Sequence, residues 1–334
     1  MAYIYKKTIG GKEYYYLRAS VRKNNKTITK DIAYLGSDID SVRNKLDELP
    51  SKYSAEIRKT YKTINKFIEV NIFLEKARAS KLKNDSFLAN ENLENVEACK
   101  IHWQTKFSNL HKLTKEETFK TFIVEFAFNT TAIEGNTITL KQAQNLLHEN
   151  LTPKNKTLRE IYDIQNTEKV FLNLIDINDK LSHELICKIH DELLANIDSR
   201  KGYRTEDVRV IKATFKSTPA RYVKTDMDLL LKWYYETEKS IHPFALAVIF
   251  HHKFEKIHPF MDGNGRTGRM LMNYILLKKD YPPAIIRKKN RSEFLKQLAK
   301  ADGCELTKAT KSHYSAIIEF CALEFYENYW NIFL

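Results

Sequence analysis

A chain of 334 residues with only nine glycines and seven prolines can bury a substantial core and reads as one main, mostly helical domain with smaller appendages. Its net charge of +13 suits an anionic partner without selecting one. No apolar run reaches the length of a membrane span, and the N-terminus lacks an apolar signal core. Cys99, Cys187, Cys304 and Cys321 show neither metal-type pairing nor a disulfide framework, so the expectation is a cytoplasmic protein with reduced thiols and no membrane partner.

Residues 1–37 read as a small basic β-sheet module. β-formers around Tyr3–Tyr5, 14–21 and 27–36 are separated by Gly10 and Gly11 and by Asn24 and Asn25, the pattern of three antiparallel strands. Eight basic residues (Lys6, Lys7, Lys12, Arg18, Arg22, Lys23, Lys26 and Lys30) face two acidic ones, Glu13 and Asp31. Basic charge with interleaved tyrosines suits nucleic-acid docking, and equally a solvated cap on a helical body. Residues 38–113 read as a helical arm, with Ile57, Tyr61, Ile64, Phe67 and Ile68 at helical spacing. The arm offers a surface for homodimerisation.

From 114 to 334 the text turns more apolar. Helices are expected at 118–129, 140–148, 158–177, 182–194, 226–238, 242–255, 263–279, 292–301 and 306–330. Between them, 208–213 and 220–223 read as the arms of one hairpin. His251 and His252 read as core or helix-face histidines, since no carboxylate–histidine spacing supports a zinc site.

The most informative stretch runs from His258 to Arg269. Gly263, Asn264 and Gly265 let successive backbone N–H groups converge on an anion, and the helix that follows puts that anion at a helix N-terminus. Arg266 and Arg269, three apart, share a helix face and can clamp a polyphosphate. Asp262 can hold Mg²⁺ through one carboxylate, leaving the other positions to phosphates and water. His258 is a candidate base near neutral pH. A second constellation is Thr130, Glu134, Gly135 and Asn136. Thr130 and Glu134 lie four apart on one helix face, and a glutamate at a helix end can pair with an arginine.

His258, Phe260, Asp262, Gly263, Asn264, Gly265, Arg266 and Arg269 fill every fixed position of the Fic-family motif, so the chain resembles that family over roughly 115–330. The resemblance implies a mainly α fold, a helical core with one β-hairpin flap, here joined to the small N-terminal antiparallel sheet. It implies transfer of AMP from ATP to a Tyr, Thr or Ser hydroxyl of a protein, with Mg²⁺ on Asp262 and His258 as base. Related Doc-type kinases carry lysine where this chain has Gly265, which favours nucleotidyl transfer. The segment from Thr130 to Asn136 is similar to the family's inhibitory motif, so Glu134 would pair with Arg269 and restrain the enzyme.

Further sites follow by the same resemblance. Nucleotide contacts would come from Gly263, Asn264, Gly265, Arg266, Thr267, Gly268 and Arg269, and from the flap residues Val210, Ile211, Lys212 and Ala213. Phe294, Leu295 and Asp302 fall where the family lines its adenosine pocket, although Asp302 departs from the amide more often found there. Two rival functions stay open. Glu134 can orient a water that removes AMP from a modified protein, or the basic sheet can make this a nucleic-acid-binding regulator or toxin.

Overall fold

The computed structural model describes the chain except for Met1, Asn24, Asn25, Lys81, Lys83 and residues 210–214, and excepting the side chains of residues 21–23 and 27. It divides into two compact units, Met1–Leu82 and Lys83–Phe333.

In the first unit, β1 (Ala2–Ile9), β2 (Lys12–Lys23) and β3 (Lys26–Gly36) form an antiparallel sheet in the order β1-β2-β3. Gly10 and Gly11 both take positive φ, the geometry that a two-residue hairpin needs to match strand twist. Period-two alternation buries Ala2, Ile4, Tyr15, Leu17 and Leu35 in one core with residues of α1 (Ile39–Asp47) and α3 (Tyr61–Ala79), including Val42, Ile64 and Ile68. A short helix, α2 (Ser54–Lys59), lies between those two in sequence. A three-stranded sheet is marginal alone, so the helices assigned to an arm instead complete its core. On the opposite face Arg18 is engaged by Asp31 and lies over the Tyr5 ring, while Tyr34 packs against Tyr14 and Tyr16.

The second unit holds α4 (Asn90–Thr105), α5 (Lys112–Ile133), α6 (Leu140–Glu149), α7 (Leu158–Asp176), α8 (His183–Leu193), α9 (Val223–Thr237), α10 (Pro243–Ile257), α11 (Asn264–Lys278), α12 (Arg291–Ala301) and α13 (Lys311–Ile332). Helices α10 and α11 pack together at its centre, and almost every side chain from Phe244 to Phe254 is buried. No room is left between the two for a side chain at Gly268. A Cβ there would lie 2.9 Å from Glu255 Oε1 and 3.2 Å from Phe254 Cδ1.

Two expectations are corrected. Ala220–Tyr222, assigned to a strand arm, is a 3-10 turn that runs into α9. Pro219 fixes φ ahead of it, Asp207 Oδ1 accepts from Ala220 N at 2.6 Å, and Val223 is buried in the first turn of α9. The expected helix at 306 begins only at Lys311. Buried Lys253 donates to the carbonyls of Glu305 (3.1 Å), Leu306 (2.6 Å) and Lys308 (2.6 Å), which holds that segment in a loop. Among the described residues no helix is long and apolar enough to cross a membrane.

Candidate active site

The site lies at the turn from α10 into α11. His258 ends α10 at φ 53° and Gly263 opens α11 at φ 72°, so two left-handed residues reverse the chain. Gly263 is required twice, since a Cβ would meet Leu194 Cδ2 at 2.5 Å. The Asn264 side chain locks the loop from inside. Its Oδ1 accepts from Phe260 N and its Nδ2 donates to Phe260 O, both at 2.9 Å. Phe260 is fully buried and stacks on His190 at 3.6 Å between ring centroids. His190 Nε2 lies 3.2 Å from the Asp262 carbonyl.

Arg204, a residue to which sequence reasoning gave no role, fixes the other side of the loop. Its guanidinium is fully buried and donates to the carbonyls of His258 (2.8 Å), Glu206 (2.9 Å) and Thr218. It thereby ties the His258 backbone to both ends of the segment containing the expected flap. Ser217 Oγ donates to Val208 O at 3.0 Å, which also draws those ends together. Val210, Ile211, Lys212 and Ala213 lie outside the described residues. Burial holds the His258 imidazole below the ordinary histidine value, so the ring is neutral and basic at pH 7.

The two motif arginines are both buried, and each has an acidic partner. Arg266 Nη1 donates to Asp163 on α7, with Nη2 4.0 Å from Asp262 Oδ1. Arg269 Nη2 donates to Glu134 Oε1 at 2.8 Å and to Thr130 O at 2.9 Å, and its Nε donates to Thr130 Oγ1 at 2.7 Å. Thr130 and Glu134 thus meet one arginine from one helix face, as their spacing requires. Gly265 makes the approach sterically possible, because a Cβ would stand 2.1 Å from Glu134 Oε1.

The turn that carries Glu134 is built to hold its place. Gly135 takes φ 106°, and Asn136 N returns to Thr131 O at 3.1 Å, ending α5. Arg291 donates Nε to Ile133 O at 2.6 Å. Asn136 Nδ2 donates to Glu160 O at 2.9 Å, and Glu160 Oε1 accepts from Thr137 N at 2.9 Å.

Asp262 keeps a charged carboxylate. Burial opposes ionisation, but the Arg159 hydrogen bond, the two nearby guanidiniums and the Gly263 N–H outweigh it and hold the group below the usual range. Among the described residues no group of three His, Cys, Asp or Glu side chains could hold a metal. A single ionised carboxylate beside a phosphate loop fits Mg²⁺, which takes one or two carboxylates and fills its octahedron with substrate phosphates and water.

The remaining assigned residues lie on α11, on α12 and at the end of α12. Phe294 is buried against His251 and Phe320, whereas Leu295 is exposed. Asp302 Oδ1 lies 3.1 Å from His252 Nε2, a hydrogen-bond contact to a buried imidazole that burial holds below the ordinary histidine value. Thr267 and Gly268 are buried in the α10–α11 contact.

Residues 180–276 match the Fic/DOC family. Over that stretch the chain matches a Fic domain. The protein adenylyltransferase fic-1 of Caenorhabditis elegans is 31% identical over 179 residues, 52% of this chain and 35% of that protein. The protein adenylyltransferase Fic of Nematostella vectensis is 27% identical over 195 residues, 57% and 46% respectively. The match therefore spans less than half the length of either relative. Among solved structures, a Fic domain containing signaling protein from Bacteroides thetaiotaomicron superposes with a TM-score of 0.64 at 23% identity, covering 70% of this chain and 94% of that one. Fic-1 (residues 134–508) from C. elegans superposes at 0.61 with 20% identity, covering 88% and 91%. At such identities the likeness is one of fold.

Proposed function

We propose that the chain is a restrained protein adenylyltransferase, moving AMP from ATP to a hydroxyl side chain of a target protein or of itself. One observation carries the reading. Glu134 fills the space left by the missing Cβ of Gly265 and pairs with Arg269, beside a loop whose other end presents a neutral imidazole. The names of the relatives support the same activity.

In the reaction, a hydroxyl oxygen attacks the α-phosphorus in line while His258 accepts the hydroxyl proton. The bond to the bridging oxygen breaks and pyrophosphate leaves. Backbone N–H groups at Asn264 and Gly265, the first residues of α11, face the charge that develops on the phosphoryl oxygens. Arg266, held by Asp163, orients the phosphates through its second terminal nitrogen. Mg²⁺, when bound to Asp262 and the phosphates, supplies Lewis-acid neutralisation of the leaving pyrophosphate. Glu134 on Arg269 withholds the arginine that would fix the far end of the triphosphate and places a negative charge there, so the α-phosphorus is not presented for attack.

A second reaction would use the same site: water attacks the phosphorus of a protein-bound AMP, the bond to the protein oxygen breaks, and that oxygen leaves as a hydroxyl once it takes a proton. The Glu134 side chain is 44% exposed, which leaves it accessible to a water that could release AMP from a modified protein. The direct test of transfer is isotopic. Label from α-phosphate-labelled ATP should enter protein, whereas label from γ-phosphate-labelled ATP should not. Incorporation of γ-label would replace this reading with phosphorylation.

A further inference from the structure

Two arginines face Asp262 and are held differently. Arg266 is buried, commits Nη1 to Asp163, and keeps Nη2 4.0 Å from the Asp262 carboxylate. Arg159 donates Nη2 directly to Asp262 Oδ2, while Oδ1 accepts from Gly263 N at 2.6 Å. Each oxygen of the carboxylate therefore already accepts one hydrogen bond, and a guanidinium and a divalent ion on one carboxylate also repel as like charges. A guanidinium hydrogen bond and a metal–carboxylate bond draw on the same oxygen lone pairs, so Arg159 and a divalent ion compete.

The arginine is placed for such a role. It sits in the first turn of α7, which a reciprocal capping box between Thr157 and Glu160 fixes. Its side chain is 55% exposed, so it can swing into water at small cost once the carboxylate is taken. Arg266, buried on Asp163, has no such freedom. The same turn of α7 also clasps Asn136 and Thr137 through Glu160.

We propose that Arg159 is the counter-ion of Asp262 in the nucleotide-free protein and must yield the carboxylate to the divalent ion that arrives with the triphosphate. Arg159 thereby sets how strongly nucleotide binding depends on that ion. The inference rests on Asp262 being the cation carboxylate of the function proposed above.

The test is equilibrium binding, on the full chain, of an ATP analogue whose α–β bridging oxygen is a methylene, by calorimetry with Mg²⁺ and with chelator. The quantity read is the ratio of the two affinities. Arg159→Gln should raise that ratio about two- to fivefold over wild type, the range expected when an exposed ion pair is removed. Arg200→Gln is the control, because Arg200 is paired with Asp198 and senses Asp262 only through its charge; its ratio should stay at the wild-type value. An unchanged or lowered ratio in Arg159→Gln, or an equal rise in Arg200→Gln, overturns the proposal. Asp262→Asn separates the two levels. A ratio that falls toward one upholds the cation assignment whatever Arg159 does, whereas a wild-type ratio sinks the assignment itself.

Discussion

Arg266 and Arg269 stand one helical turn apart on α11, both buried, yet their carboxylate partners differ in kind. Asp163 lies in the body of α7, and its side chain is 12% exposed. Glu134 caps the end of α5, and its side chain is 44% exposed. A pair sealed between two helices is part of the structure, because neither charge can reach water. A pair with one member on a half-exposed helix end can open, because the freed carboxylate is hydrated and Arg269 keeps both bonds to Thr130. The lesson is that an ion pair's capacity to regulate is set by how solvated the partner becomes on leaving.

Breaking each pair should therefore give unequal results. Asp163→Ala strands a buried guanidinium and should cost about 3–5 kcal/mol of stability, read as a lower urea midpoint at unchanged slope. Glu134→Gly should cost less, about 1 kcal/mol, because Arg269 keeps both bonds to Thr130 and the vacated helix end opens to water. Equal losses would erase the distinction.

The field around Arg269 can be read through Glu255, packed under Gly268 with Oε1 3.8 Å from His251 Nε2. Burial first, then the charge of Glu134, pushes Glu255 up to about 8, against the pull of Arg269. The folded state thus holds a proton that the unfolded chain releases near its ordinary value of 4.5. Stability from this group is complete below pH 4.5 and is lost as pH rises through about 8, at up to about 1.4 kcal/mol per pH unit. Glu255→Gln should flatten that decline in denaturation series from pH 5 to 8. In Glu134→Gly the decline should persist but end at a lower pH, since one of the two raising influences is gone.

A finer probe is Gly265→Ala, whose Cβ occupies the position of Glu134 Oε1. Displacing the carboxylate should make the second substitution redundant. Glu134→Gly should raise AMP transfer by about fivefold in the native background, since about 1 kcal/mol is roughly a factor of five in rate, and by less than about twofold on top of Gly265→Ala. A full additional gain would mean that Glu134 acts elsewhere.

Much of this centre was legible because its signals are local. The turn, the phosphate loop and the arginine pair lie within twelve consecutive residues, and Thr130 and Glu134 carry the i,i+4 spacing that puts both on Arg269. The Fic resemblance rests on those same residues. What sequence reasoning missed are partners distant in the chain with no pattern of their own. Arg204, Asp163 and Arg159 each look like an ordinary charged residue until the fold delivers them. The errors have physical causes too. The β-formers Tyr222 and Val223 follow a proline turn capped by Asp207, so they begin a helix. Asp302 is taken by His252, an attraction between groups fifty residues apart that periodicity cannot register.

The central claim is that His258 performs AMP transfer while Glu134, on Arg269, restrains it. Intact-mass measurement after incubation with ATP and Mg²⁺ tests this most directly, using wild type, Glu134→Gly and Glu134→Gly with His258→Ala. Added AMP should be scant in the first and abundant in the second. In the third it should be reduced about 10²–10⁴-fold relative to the second, the usual loss on removing a general base. Equal modification of the second and third proteins would contradict the account.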